Sequence, residues 1–253
     1  QIKSTNNEGN FSADENILNS QEDVAETKAA NFGQDSDYTF VEADYRPEVV
    51  GWARDLFGDR MAPNGKPVYQ NFTRWFGDSK AVDAEGKPLV VYHGTNKDFV
   101  AFDKIGGRPI WVAVDPEVAN QFVGGGRRSI GDKPRKGSRV LPLHVKVENP
   151  MHIPGTVHDD MSLVQLLEIA QIDTSPANMR KMAQRSLDTG RAGVSPTIDD
   201  PAGYLANLAT EKRPLAQLLD NPTTIEALQA AGFDGVQTAE REGKATFVVF
   251  DSN

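Results

Sequence analysis

Short, valine-rich segments of β character stand on both sides of a long stretch of helical periodicity, and this arrangement constrains the fold more than any other feature of the chain. PLVVY (88–92), RPIWVAV (108–114) and VLPLHVKVENP (140–150) come before it, and FDGVQT (233–238) and ATFVVFD (245–251) come after it. Residues 161 to 231 between them carry four helical patterns, MSLVQLLEIAQ, PANMRKMAQRSL, PAGYLANLAT and TTIEALQAAG, the last stopped by Gly232. Strands that frame a helical middle define an α+β class.

The rest of the chain divides by composition. Residues 1–44 are rich in Asn, Ser, Asp, Glu and Gln with few aromatics, too little apolar surface to offset chain entropy, and are expected to form an irregular polar tail or linker. From Tyr45 the run YRPEVVGWARDLF predicts a helix with Val49, Val50, Ala53, Leu56 and Phe57 on one face. An internal echo follows, with FGD at 57–59 and again at 76–78, and GKP at 65–67 and again at 86–88. Each copy reads as helix end, turn and strand, with Asn64-Gly65 and Glu85-Gly86 as turn dipeptides. Two copies make a local duplication rather than a solenoid. Downstream, DPEVANQFV predicts a helix capped by Asp115, with Pro116 at its first position and Glu117 in its first turn. The VLPLHVKVENP strand is expected to end at Pro150, and GGGRRSIGDKPRKGSR to form a glycine-rich basic loop.

Charge and residue types exclude several function classes. With 27 Lys and Arg against 36 Asp and Glu the net charge is −9, which argues against nonspecific nucleic-acid binding. The absence of cysteine removes disulfides and thiolate metal sites, and four scattered histidines give no zinc cluster, so no metal is expected. No run of about 18 apolar residues suits a membrane helix. The chain shows no signal-peptide pattern and does not begin with Met, and reads as a soluble fragment of a longer protein.

PLVVY stops on His93, Gly94 and Thr95. A histidine in such a place is most often an ordinary core or surface residue. The functional alternative is that glycine admits a planar ligand to the backbone, whose N–H and C=O grip a carboxamide while His93 and Thr95 hydrogen-bond a ribose.

Its companions carry a resemblance. NFTRWFGDSKAVDAEGKPLVVYHGT, the F-x-x-F-D that follows, PIWVAVDPEVANQF, LPLHVKVENP, AGFDGVQ and TFVVFD occur in that order over about residues 70–251. The chain resembles the ADP-ribosyltransferase-like domains of phage and prophage polyvalent proteins and, more distantly, the diphtheria-toxin and poly(ADP-ribose) polymerase branch of that superfamily. The resemblance implies a split mixed or antiparallel sheet over residues 45–253, with a helical insertion at about 156–231, and NAD as co-substrate. It implies that Tyr92 to Thr95 position NAD, His93 on the nicotinamide-side ribose, Gly94 as the backbone clamp and Thr95 on the adenosine-side ribose. Trp111 and Phe122 match the two aromatics that sandwich the nicotinamide, worth about 1–3 kcal/mol through stacking and cation–π attraction. Arg108, and Arg127 or Arg128 of the basic loop, are candidates for the pyrophosphate or an acidic acceptor.

The superfamily's catalytic glutamate opens the last strand, where its carboxylate stabilises the oxocarbenium-like transition state. Thr246 stands there in this chain, and a neutral hydroxyl supplies no charge. The nearest carboxylates are Glu240 and Glu242, and the ranked expectations are that Glu242 is catalytic, that the acceptor contributes a carboxylate, or that the domain binds NAD without efficient transfer. The alternative reading of E-R-E is a solvated hairpin tip. His144 is expected to be structural, His152 and His158 to lie in loops, and Asp234 and Gly235 to make a turn. Read head to tail, the two ends give FDSNQIKSTNNEGNF, a string of the kind these domains carry, which suggests a tandem array or a permuted chain.

The expected activity is mono-ADP-ribosyl transfer from NAD to a macromolecular acceptor, protein favoured, in a bacterial host cytoplasm, with delivery by a phage particle as the route considered. The alternatives are a noncatalytic NAD-binding or structural module of a phage-delivered polyprotein, and an NAD glycohydrolase toxin.

Overall fold

The computed structural model describes residues 39–96, 102, 109–123, 138–188, 209–240 and 243–251. The sequence expectations for residues 1–38, most of the basic loop, PAGYLANL, Arg108 and Glu242 lie outside them, as does the relation of Gln1 to Ser4 with Phe250.

Pro47 opens α1 (Pro47–Phe57), which buries Val49, Val50, Ala53 and Phe57 as its spacing predicts. The echo is visible in the backbone. Each copy leaves its helix through a glycine of positive φ, Gly58 and Gly77, and closes its turn at another, Gly65 and Gly86. The bonds repeat as well, Ala62 N–H to Lys66 O and Asp83 N–H to Lys87 O, and each turn forms one bridge, Met61 to Pro67 and Val82 to Pro88. The copies then part. The first continues into α2 (Val68–Phe76), not the expected strand, because Val68, Phe72 and Phe76 recur every fourth residue and bury against α1. The second continues into β1 (Val91–Thr95). The His-Gly-Thr triplet therefore lies inside the strand rather than beyond its end.

β2 (Ile110–Ala113) leads into α3 (Pro116–Asn120), where the Asp115 carboxylate accepts from Glu117 N–H at 2.7 Å as an N-cap. β3 (Arg139–Leu143) ends earlier than its alternation predicts, and Pro150 opens β4 (Pro150–Thr156) instead of closing β3. The reason is Ser79, fully buried, whose hydroxyl donates to Val145 O at 3.1 Å and accepts from Val147 N–H at 3.1 Å. Val145 and Val147 thus bond a side chain and Lys80 N–H rather than a neighbouring strand. His152 consequently lies in β4, not in a loop. Asp234, read as a turn residue, also accepts from the backbone N–H groups of Glu148 and Asn149 and ties this segment to the start of the strand that opens at Gly235.

The insertion contributes β5 (Asp160–Met161), α4 (Leu163–Ile169), α5 (Pro176–Asp188), β6 (Arg213–Pro214), α6 (Leu215–Leu219) and α7 (Pro222–Ala230). The chain returns through β7 (Gly235–Ala239) and β8 (Ala245–Val249). The main sheet runs β3-β1-β2-β8-β7-β4, antiparallel except for β4 with β7, and β5 pairs with β6 in a separate two-stranded ladder. The fold is α+β with a mixed sheet, as the sequence implies. One face buries Ile153, Leu166, Leu167, Leu215, Leu228, Val236 and Val248 with the insertion helices. The other buries Val91, Val112, Leu143, Val147, Phe247 and Val249. Each such side chain contributes about 1.5–3 kcal/mol.

Candidate functional site

The sheet is opened on one line. β1 pairs with β3 through all five of its residues but with β2 only at Tyr92 and Ala113. In that opening the His93 ring takes the place of a ladder bond, its Nδ1 lying 2.8 Å from Trp111 O. A carbonyl only accepts, so Nδ1 carries the proton and Nε2 is the acceptor nitrogen. Burial pushes the His93 pKa below its usual value, against the smaller opposing effect of the Trp111 carbonyl, which keeps the ring neutral near pH 7. Phe102 packs edge-on against it at 5.1 Å.

Gly94 has a packing reason as well as the ligand reason read from sequence. A Cβ there would stand 2.0 Å from Ala119 O at the end of α3. The helix sits on the strand because the strand has no side chain there.

A cleft of about 440 Å³ opens at this split. Its walls include Tyr92, His93, Gly94, Trp111, Phe122 and Thr246, so six of the residues named from sequence share one cavity. Thr95 is buried beside Arg139 of β3 and does not line it. Arg108 and Glu242 lie outside the described residues. Phe122, just beyond α3, keeps 38% of its surface exposed. Trp111 packs on the insertion core and donates its indole N–H to Asp220 Oδ1 at 2.9 Å. Burial, and then the Asp115 charge, raise the Tyr92 phenol. Asp115 itself is held below the usual carboxylate range chiefly by Lys244 at 2.6 Å, which fastens the β7–β8 hairpin to the head of α3.

Two polar groups face the same cleft from β8 and from the end of β7. Thr246, opposite Ala113 and 3% exposed, has a buried hydroxyl with no hydrogen-bond partner among the described residues. Glu240 is 5% exposed, not the solvated hairpin tip that E-R-E suggested for it. Its backbone N–H bonds Lys244 O, continuing the ladder, while its Oε2 accepts from His158 Nε2 at 3.0 Å. Glu240, His158 and Asp220 are cleft residues to which sequence reasoning gave no site role. Only the closeness of Glu240 to the last strand was a usable signal.

The family model described as ADP-ribosyltransferase in polyvalent proteins matches residues 83–253, more than half of the chain, and the protein belongs to that family. Neither curated proteins nor solved structures gave a match. Among the described residues no helix is long and apolar enough to cross a membrane.

Proposed function

We propose that this domain is a mono-ADP-ribosyltransferase that takes ADP-ribose from NAD and transfers it to a macromolecular acceptor, with protein favoured. The observation that supports this most is the shared cleft, where His93, Gly94, Trp111, Phe122 and Thr246 meet at the split between β1 and β2. In this reading the nicotinamide ring enters between Trp111 and Phe122. The acceptor nitrogen of His93 takes a ribose hydroxyl, Tyr92 and Gly94 wall the carboxamide end, and Thr246 offers its unpartnered hydroxyl to the same ribose. Thr95 and Arg108 are assigned to the adenosine and pyrophosphate side. Residues 45–253 act as one unit, since His144, following β3, packs its ring against Trp52 of α1 and Phe72 of α2. The setting we assign is a bacterial host cytoplasm, reached with a phage particle.

Thr246 in the usual glutamate position favours a second reading, a module that binds NAD without turning it over. Incubation of the protein with NAD labelled in its ADP-ribose portion and a bacterial lysate separates the two. Labelled acceptor is the expected result. Free ADP-ribose with no labelled acceptor indicates a glycohydrolase, binding without product indicates the module, and no NAD binding overturns the reading.

A further inference from the structure

Resting on the transferase reading, we propose that the Glu240 carboxylate, held by His158, supplies the negative charge that Thr246 lacks. Val236, Thr238 and Glu240 alternate onto one sheet face, and Thr246 and Val248 share it from the neighbouring strand, with Thr238 opposite Thr246. Glu240 is thus a diagonal neighbour of Thr246, about 7–8 Å away between backbones and within reach of a long side chain. A glutamate side chain rooted on that diagonal is long enough to bring a carboxylate into the cleft beside Thr246. Both residues line the cleft.

Burial makes a merely structural role for this carboxylate costly. A carboxylate this deeply buried is costly to hold without full pairing, and the bond the structure gives it is the single one from His158 to Oε2. A glutamine would keep the bond from His158 without the cost of burying a charge, so stability alone gives no reason for an acid here. His158 is a positioning residue. Its segment is fixed by Val157 N–H to Ala239 O at 2.8 Å and by Ala216 N–H to Val157 O at 2.9 Å.

In the transfer step the bond between ribose C1′ and the nicotinamide nitrogen breaks, and its electron pair leaves with nicotinamide, which becomes neutral. Oε1 of Glu240 accepts a hydrogen bond from the ribose 2′-hydroxyl and stabilises the cationic sugar. The acceptor's lone pair forms the new bond at C1′ from the opposite face, and the proton it sheds passes to the Glu240 carboxylate and then to water.

The test measures NAD affinity, nicotinamide release and the unfolding midpoint on the full chain. Glu240→Gln is expected to slow nicotinamide release about 10²–10³-fold, with NAD affinity changed less than about threefold and the midpoint not lowered. A purely structural role would lower the midpoint and leave the rate per folded molecule intact. Should Glu240→Gln fail to fold, Glu240→Asp, which keeps the charge but withdraws it by one methylene, is expected to lose at least about tenfold in rate. Either variant folded and at full rate overturns the proposal. If Glu240→Gln keeps its rate while Glu242→Gln loses it, Glu240 is wrong and the transferase reading stands. Wild-type protein that binds NAD but releases no nicotinamide overturns the catalytic role and leaves the binding module. Wild-type protein that does not bind NAD overturns both.

Discussion

The indole of Trp111 and the carboxylate of Asp220 are hydrogen-bonded at 2.9 Å across 109 residues of chain. A cleft wall in the sheet is therefore oriented by the C-terminal cap of α6, within the insertion. Asp220→Ala leaves the ring without its tether and is expected to weaken NAD binding about tenfold, the worth of one charge-assisted hydrogen bond. Isothermal titration with NAD, against the unchanged unfolding midpoint expected of an exposed substitution, checks it.

Phe122 is the cleft aromatic with least support from neighbours. Phe122→Ala removes one stacking face at little cost to the fold, and the expected loss is about tenfold or more in NAD affinity. Equal affinities for wild type and variant would remove this ring from the nicotinamide site.

Gly94→Ala drives a methyl toward Ala119 O, 2.0 Å from where its carbon would sit. The strand or α3 must shift, at about 1–3 kcal/mol, lowering the unfolding midpoint by several degrees. A midpoint equal to wild type would show that α3 yields freely at this contact.

His93 makes stability depend on pH. Its pKa in the folded chain lies below the ordinary imidazole value of about 6.5 because of burial. The unfolded chain therefore binds the proton more readily, and stability is lost as pH falls through 6.5 toward the folded value and is fully present above it. Unfolding midpoints at a series of pH values should fall more steeply on acidification for wild type than for His93→Gln.

Ser79→Ala removes a hydroxyl that serves Val145 O and Val147 N–H, all away from water. The stranded groups are expected to cost about 1–3 kcal/mol, read by denaturant titration.

What the sequence disclosed was local or periodic. The Asp115 cap, the face of α1, the split between strands and helices, and the His-Gly-Thr, Trp111 and Phe122 positions all follow from spacing over a few residues or from ordered motifs. The misread pieces were settled by distant partners. VYQNF and LVVYH follow the same turn, and only the packing of Phe72 and Phe76 against α1 makes the first a helix. The end of β3 depends on Ser79, 66 residues from Val145. His158 and Glu240, 82 residues apart, each look like an isolated polar residue in a loop until the fold brings them together.

The parallel pairing of β4 with β7 has a consequence for how such a domain can diversify. Two parallel neighbours must be joined by a crossover, and residues 157–234 form it. That passage can vary in length between its ends without adding or removing a strand of the main sheet. Because Asp220 travels with it, each version would arrive carrying its own hand on the tryptophan at the pocket mouth.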